Sequence, residues 1–326
     1  MPGRMRILAP AKINLTLEVL QRREDGYHAL RSLMVPLAHA DELWIEPADE
    51  PAFTCSDPAL AGDDNIVMRA LALLPELEPR SVRLIKHIPT QAGLGGGSSD
   101  AAAVLLAAMS GAFGRVPEVD WVACARRLGS DVPFFLAQTG ALVEGTGERV
   151  TAAGELPPWH VLLIKPPLAI STREAYAELD RHPRASRPRN TSVTLKALDA
   201  LQRADFNALE ACLSNDFTTA MIALEDGTTA PGLDAGSGGE RNKQRGVGPR
   251  IQPGHATTSE IGRAMDALRR AGSTNATLCG SGSAVFALAP TGDTIADIAA
   301  RVDLPDDYLR VVTRFQTSPA WRGART

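Results

Sequence analysis

The sequence predicts a protein of two domains in which helices and strands are mixed. Its 326 residues exceed the size of one typical domain, and 44% of them are apolar, which is enough to form buried cores. Strand-like and helix-like segments alternate along the chain, and the pattern starts again after Pro157 and Pro158. We therefore expect a domain boundary near 154–158, with one domain at 1–156 and the other at 157–326.

In the first half, alternating apolar residues predict strands and longer apolar runs predict helices. Residues 6–19 alternate as one strand, or as two strands broken at Pro10. Further strands are expected at 41–46, 81–88 and 140–143, the last followed by a turn at 144–148. Helices are expected at 66–74, 101–109 and 119–128, the last ending at Gly129.

The second half repeats both patterns around one unusual segment. Strands are expected at 161–164 and 283–289, helices at 173–179, 195–201, 204–213 and 259–271, and a closing helix and strand through Val312. Residues 225–258 contain eight glycines, three prolines and no aromatic residue. Such a segment buries too little apolar surface to offset its ordering entropy, so we expect a disordered insertion there.

Composition excludes several classes of function. The net charge of -4 gives no basic surface for nucleic acid. The four cysteines lie far apart without Cys-x-x-Cys spacing, which predicts neither a disulfide framework nor a zinc site and fits a reducing cytoplasm. No leader pattern and no apolar run long enough to cross a membrane is found, so a cytoplasmic protein is expected.

The most informative stretch is the glycine-rich sequence Pro89-Thr90-Gln91-Ala92-Gly93-Leu94-Gly95-Gly96-Gly97-Ser98-Ser99. Glycines let the backbone approach a ligand closely, and the helix that follows directs its unpaired N–H groups and positive dipole end at the loop. Such a junction binds phosphate well. It matches neither the P-loop nor the dinucleotide fingerprint, and a glycine turn can be a plain connection. The paired serines favour function, because their hydroxyls can cap the helix or face phosphate or a metal.

Three more clusters carry polar side chains suited to catalysis. Lys12 and Asn14 alternate with apolar residues, so both would face one side of a strand. Asp131 follows the predicted helix end, and a second glycine–serine turn occupies 280–283. Each cluster also has a structural explanation: the wet face of a sheet, a helix N-cap or a tight turn. Asp57 and residues 63–65 could contact a nucleotide near the glycine-rich stretch, but they are interpreted as turn residues.

In order and spacing, these motifs together resemble those of the GHMP kinase superfamily. The matching segments are Pro10-Ala11-Lys12-Ile13-Asn14, the glycine-rich stretch and Gly280-Ser281-Gly282-Ser283. Arg-x-Asp-Gly-Tyr-His-x-Leu at 23–30 and Asp-Val-Pro-Phe-Phe at 131–135 are similar to motifs of the branch that phosphorylates a cytidine diphosphate-linked methylerythritol for isoprenoid synthesis. The extra glycines also fit that branch. The resemblance covers about the whole chain except 225–258.

The resemblance implies an α+β fold with an N-terminal domain similar to ribosomal protein S5 domain 2 and a ferredoxin-like C-terminal domain. It implies ATP- and Mg²⁺-dependent phosphorylation of the 2-hydroxyl of the cytidylyl substrate, which would sit between the domains. The residues it assigns to ATP are Pro89, Gly93, Leu94, Gly95, Gly96, Gly97, Ser98 and Ser99. Ser98 or Ser99 can supply a hydroxyl to Mg²⁺, but no glutamate ligand is identified.

The resemblance also implies roles for individual side chains. Asp131 would take the proton from the acceptor hydroxyl, and Lys12 would hold that hydroxyl and the transferring phosphate. This division suits phosphoryl transfer, which is catalysed mainly by alignment and by positive charge near the moving group. The residues expected to bind substrate are Asn14, Tyr27, His28, Thr172 and Tyr176. Tyr176 would stack on cytosine and His28 would hydrogen-bond its edge, although both tyrosines suit ordinary packing as well.

Two other functions remain open. The acceptor could be a homoserine- or mevalonate-like alcohol, for which Tyr27, His28 and Tyr176 have no obvious task. The fold could instead serve a catalytically silent nucleotide-binding regulator, against which Lys12 and Asp131 both argue. The expected partner is a small-molecule substrate, with no nucleic acid and no membrane, and the expected state is a monomer or weak homodimer.

Overall fold

The computed structural model describes residues 4–24, 26–116, 118–181, 192–226, 259–318 and 324–325. The predicted insertion at 225–258 lies outside these residues except for Glu225 and Asp226, which end a helix. Two sheets with helices packed on them make up the described structure, as expected for mixed helices and strands. Among the described residues, no helix combines the length and the apolar character that a membrane crossing requires.

The described residues of the first half form six strands, four α-helices and a short 3-10 helix at Pro58–Leu60. The strands are β1 (Met5–Arg22), β2 (His28–Pro47), β3 (Ala52–Cys55), β4 (Arg80–Ile85), β5 (Ala141–Gly145) and β6 (Arg149–Ala152). The helices are α1 (Ile66–Ala72), α2 (Gly96–Met109), α3 (Trp121–Leu128) and α4 (Val132–Leu136). Every element predicted here is present, whereas β3, β6, α4 and the first part of β2 were not predicted.

The strand at Pro10 is continuous rather than broken. Proline lacks an N–H, and the pairing of β1 with β2 shifts register between Pro10 and Lys12, which accommodates it inside one strand.

The described second half contains six further helices and six short strands. The helices are α5 (Thr172–Arg181), α6 (Val193–Gln202), α7 (Phe206–Glu210), α8 (Thr218–Asp226), α9 (Glu260–Arg270) and α10 (Gly292–Arg301). The strands are β7 (His160–Lys165), β8 (Ser214–Asn215), β9 (Ala276–Leu278), β10 (Val285–Ala289), β11 (Leu309–Arg314) and β12 (Ala324–Arg325). The unpredicted helix is α8. The unpredicted strands are β8, β9 and β12, and each of these strands has three residues or fewer.

The strands form two sheets of different size. The larger has the order β12-β1-β2-β4-β3. In addition, β8 pairs with β1, β5 pairs with β2, and β6 pairs with β5. The smaller is antiparallel with the order β11-β7-β10-β9. In chain order its strands are fourth, first, third and second, with α10 between β10 and β11, which is the ferredoxin-like arrangement. That expectation for the second half is confirmed.

One long strand takes part in three hydrophobic cores. Met5, Ile7 and Ala9 of β1 pack in a core with α2. The next alternate residues, Ala11, Ile13 and Leu15, pack in a second core with Trp159 and residues of β7 and β10. Leu17 and Val19 belong to a third core under the smaller sheet. The second core therefore contains residues from both sides of the predicted boundary at 156.

Candidate active site

A cleft with a volume of about 690 Å³ opens where the two glycine-rich turns meet. This volume is in the range of small-molecule sites. Most of the predicted site residues line it: Lys12, Asn14, Pro89, the six residues at 93–98, Asp131, Thr172 and Tyr176. The predicted residues that the structure does not place in this lining are Tyr27, His28 and Ser99.

The glycine-rich stretch forms the first turn of a helix rather than a loop alone. Helix α2 begins at Gly96, earlier than the predicted residue 101, and Gly95 precedes it with a left-handed φ of 72°. Ser99 N–H donates to Gly95 O at 2.9 Å, the first helical bond. The N–H groups of Gly96, Gly97 and Ser98 have no acceptor within the helix. They line the cleft and can donate to an anion.

The two glycine turns contact each other closely because they lack side chains. A Cβ on Gly93, where φ is +74°, would stand 1.9 Å from Cys279 O. A Cβ on Gly280 would stand 3.1 Å from Lys12 Nζ, and one on Gly95 would stand 3.0 Å from Lys12 Cγ. The side chain of Lys12 therefore lies between the two turns, and glycine at these positions makes its place possible.

Lys12 and Asp131 face each other in this cleft. Lys12 is only 3% exposed, and its Nζ donates to Asn14 Oδ1 at 2.7 Å. Lys12 Nζ lies 3.6 Å from Asp131 Oδ2. Asp131 occupies the N-cap position of α4, yet its side chain makes no capping hydrogen bond. The structural explanation of Asp131 as a cap therefore fails, and its carboxylate is directed at the lysine.

Beside Gly96, a cluster of three buried ionisable side chains that the sequence did not indicate supports the wall of the cleft, and a Cβ on Gly96 would stand 3.4 Å from Asp41 Oδ2. Lys86 Nζ hydrogen-bonds to Asp41, and to Asp100 Oδ2 at 2.7 Å. Asp41 Oδ1 accepts from the backbone N–H groups of His87, at 2.5 Å, and Ile88, at 2.8 Å. Lys86, Ile88 and Asp100 line the cleft. Asp41, far from them along the chain, thus shapes the backbone that enters the glycine-rich stretch.

Burial decides the charge state within this cluster. It raises the pKa of Asp100 to about 8, although Lys86 opposes the rise. Burial also disfavours the charge of Lys86, but Asp100 and Asp41 outweigh it and hold the pKa of Lys86 above its usual value.

Asp57 and residues 63–65 serve as turn and cap residues, as interpreted from the sequence. Asp57 accepts from Ala59 N–H and Asn65 from Val67 N–H. In addition, Asp64 and Asn65 line the cleft.

The residues predicted to bind the acceptor are placed unevenly. His28 is buried, its Nε2 lies 2.9 Å from Asp180 Oδ1, and its ring stacks on Tyr176 with centroids 5.5 Å apart. His28 therefore contacts the cleft-lining tyrosine from behind. Thr172 is the first residue of α5, and its Oγ1 lies 3.5 Å from Ser281 Oγ of the second glycine turn. Tyr27 is 68% exposed and lies outside the lining.

The two adjacent serines point in different directions. Successive side chains on a helix diverge by about 100°, so Ser98 lines the cleft while Ser99 points into the protein. Ser99 lines a separate small cavity with Pro10, Phe134 and Gln138. Of the two predicted Mg²⁺ ligands, only Ser98 is thus placed at the cleft.

The described residues offer few ligands for a metal ion. No group of three or more His, Cys, Asp or Glu side chains among them could hold one. At the phosphate end of the cleft, Ser98 and Asp131 present oxygen atoms. Such donors fit Mg²⁺ provided that most of its shell comes from phosphates and water.

Family models and known proteins match this chain along most of its length. The model described as GHMP kinases N terminal domain matches residues 65–139, and the one described as GHMP kinases C terminal matches 253–304. A 4-diphosphocytidyl-2-C-methyl-D-erythritol kinase from Symbiobacterium thermophilum is 34% identical over 305 residues, covering 91% of this chain and 95% of the relative. One from Anaeromyxobacter sp. is 44% identical over 197 residues, covering 57% of this chain and 64% of the relative.

A solved structure shows the same fold. The crystal structure of a 4-(cytidine 5'-diphospho)-2C-methyl-D-erythritol kinase superposes with a TM-score of 0.70 at 32% identity. The match covers 96% of this chain and 100% of the solved one. The expected α+β fold is confirmed for the chain as a whole.

Proposed function

Because the chain belongs to the GHMP kinases, and within them to the 4-diphosphocytidyl-2-C-methyl-D-erythritol kinases, we propose that it transfers the γ-phosphoryl group of ATP to the 2-hydroxyl of 4-(cytidine 5'-diphospho)-2-C-methyl-D-erythritol. This reaction belongs to the non-mevalonate route to isoprenoid precursors. One structural observation carries the proposal: Lys12, Asp131 and the amino end of α2 line a single cleft.

ATP lies with its phosphates over the unpaired N–H groups that begin α2. The positive end of the helix dipole and the absence of side chains at 95–97 favour a triphosphate there. The cleft continues between Leu60, Ile66 and Ile88, which provide apolar walls for the base. Pro89 connects that wall to the phosphate site.

Asp131 and Lys12 act on the reacting atoms. The acceptor oxygen forms its bond to the γ-phosphorus while the bond to the β,γ-bridging oxygen breaks, and ADP leaves. The hydroxyl proton passes to Asp131, whose side chain is 34% exposed to the cleft. A carboxylate is a weak base, so this transfer comes late, as the new bond forms. Lys12 stabilises the negative charge on the moving group.

The cytidine end of the acceptor lies toward α5. Tyr176 offers a ring at the cleft, and Thr172 offers a hydroxyl near the second glycine turn. His28 supports Tyr176 from the other side and is oriented by Asp180. Tyr27, at the surface in this structure, would have to turn inward to contact the base.

Ser98 would hold Mg²⁺ together with phosphate oxygens, and the ion supplies neutralisation of the triphosphate charge. The proposed oligomeric state is a monomer or a weak homodimer. The four cysteines are free, which supports a cytoplasmic enzyme whose partners are small molecules rather than nucleic acid or membrane. The proposed domains are 1–156 and 157–326.

A comparison of acceptors tests the function. ATP consumption is measured with the cytidylyl substrate, 2-C-methyl-D-erythritol 4-phosphate, mevalonate and homoserine at equal concentrations. We expect turnover with the cytidylyl substrate alone, because only it offers a base to Tyr176. Equal turnover with mevalonate or homoserine would overturn the assignment, and no turnover with any acceptor would favour the silent regulator.

A further inference from the structure

We infer that Ser32 is a positioning residue for phosphoryl transfer: its hydroxyl orients the amide of Asn14, which in turn holds the ammonium of Lys12. The inference rests on the proposed function, since it assumes that Lys12 contacts the transferred group. Ser32 lies on β2, does not line the cleft and belongs to none of the motifs found in the sequence.

The direction of each hydrogen bond follows from the proton count of a hydroxyl. Ser32 is fully buried, and its Oγ donates to the backbone oxygen of Thr16 at 2.6 Å. A serine hydroxyl has one proton, so Ser32 Oγ can only accept from its other neighbour. That neighbour is Asn14 Nδ2, which donates to it at 2.8 Å.

The orientation of the asparagine amide then has only one solution. With Nδ2 directed at Ser32, Oδ1 faces Lys12 Nζ and accepts from it at 2.7 Å. The reversed amide would place its NH₂ group against the ammonium and leave Ser32 Oγ without a donor. Lys12 and Asn14 are each 3% exposed, so water cannot relieve such a mismatch.

A fixed ammonium matters because lysine is flexible. Its four-carbon stem has many rotamers, and its three donors rotate freely. The bond to Asn14 occupies one donor and holds Nζ 3.6 Å from Asp131 Oδ2. A displacement of about 1 Å at a reacting centre can cost about 100-fold in rate.

Strand pairing does not need the Ser32 hydroxyl. Backbone pairing already places Ser32 opposite Leu17. A neighbouring buried bond, Thr16 Oγ1 to Thr194 Oγ1 at 2.9 Å, connects β1 to α6 without reaching Lys12. Thr194 is fully buried as well, so it offers a matched control for the loss of one buried hydroxyl.

A double-mutant cycle tests the inference. Ser32→Ala should lower kcat about 10- to 100-fold while the KM for ATP stays within about twofold. If Ser32 acts through Asn14, then Asn14→Ala combined with Ser32→Ala should have the same kcat as Asn14→Ala alone. The control Thr194→Val should lower the melting temperature but leave kcat within about twofold. A Ser32→Thr variant, which keeps the hydroxyl, should restore kcat.

Three results would overturn the inference: an unchanged kcat in Ser32→Ala, losses that multiply in the double variant, or an equal kcat loss in Thr194→Val. If Ser32→Ala does not fold, Ser32→Cys, which keeps a similar volume but hydrogen-bonds weakly, takes its place. The variant Lys12→Ala distinguishes a failure of the proposed mechanism from a failure of the proposed role of Ser32. Full turnover in Lys12→Ala would contradict the proposed mechanism itself. Lost turnover in Lys12→Ala together with wild-type kcat in Ser32→Ala would contradict only the role of Ser32.

Discussion

Two aspartates occupy helix N-cap positions, but only one of them caps its helix. Asp120 and Asp131 occupy the N-cap positions of α3 and α4, and aspartate is a favoured residue there. Asp120 Oδ1 accepts from Ala123 N–H at 2.9 Å, a normal cap. Asp131 makes no such bond and faces Lys12. The difference separates a residue that stabilises its helix from one available for chemistry.

This difference gives a prediction with a built-in control. Asp131→Ala should lower kcat about 100- to 10,000-fold, as loss of a general base does, with little change in melting temperature. Lys12→Ala should lower kcat about 100- to 1,000-fold through lost charge stabilisation. Asp120→Ala should cost about 0.5–2 kcal/mol of unfolding free energy and leave kcat unchanged. Steady-state kinetics and thermal melts measure all three, and the reverse pattern in the two aspartates would contradict the assignment.

At the scale of elements, α2 depends on the cluster of Asp41, Lys86 and Asp100. Asp100 lies in the first turns of α2, Lys86 follows β4, and Asp41 lies within β2. Three elements near the cleft are thus joined by buried, hydrogen-bonded ionisable side chains. Because burial raises the pKa of Asp100 to about 8, the joint depends on pH.

The sign of this dependence follows from proton binding. The pKa of Asp100 in the folded chain lies above the unfolded value of about 3.9. Between these values the folded state binds more protons, so the Asp100 contribution to the free energy of unfolding falls as pH rises from about 4 to about 8.

Asp100→Asn removes this titration while keeping an oxygen for Lys86. The unfolding free energies of wild type and Asp100→Asn are measured by denaturant titration at about pH 5.5 and about pH 8.5. Between these two pH values, the unfolding free energy of wild type should fall relative to that of Asp100→Asn. A difference that stays constant between the two pH values would contradict the burial argument.

At the scale of the whole molecule, the second core joins the two halves. Apolar residues of β1 and β2 pack against Trp159, which makes edge contacts with Phe206 at 5.2 Å and Phe315 at 6.0 Å. The two domains proposed on either side of residue 156 therefore share this core. Neither half can bury its own strands completely without the other.

A fragment ending at residue 156 tests this directly. Its strands would expose Ala11, Ile13, Leu15, Leu33 and Val35, all fully buried in the whole chain. We expect the fragment to bind the dye ANS strongly and to lack a cooperative melt, while the whole chain binds little dye. A fragment with a sharp melt and low dye binding would show instead that residues 1–156 fold independently.

Local patterns predicted local structure well. Apolar periodicity placed α1, α3, α9 and the start of β1, because the spacing that buries one face is a property of neighbouring residues. The glycine-rich stretch likewise indicated a phosphate site, since backbone freedom and helix start are encoded within a few positions. The first part of β2 was missed because residues 32–37 are all buried, so this segment lacks the apolar–polar alternation by which strands were recognised.

By itself, the sequence determined the family, the mixed fold and the residues able to donate, accept or carry charge at the site. Only the tertiary structure decided which of them meet: Ser98 rather than Ser99 at the cleft, Tyr27 at the surface, Ser32 behind Asn14 and Asp41 beneath Lys86. The reason is physical. A residue's chemistry is its own, but its burial and partners come from chain segments far away in sequence, brought together by the packing of strands and helices.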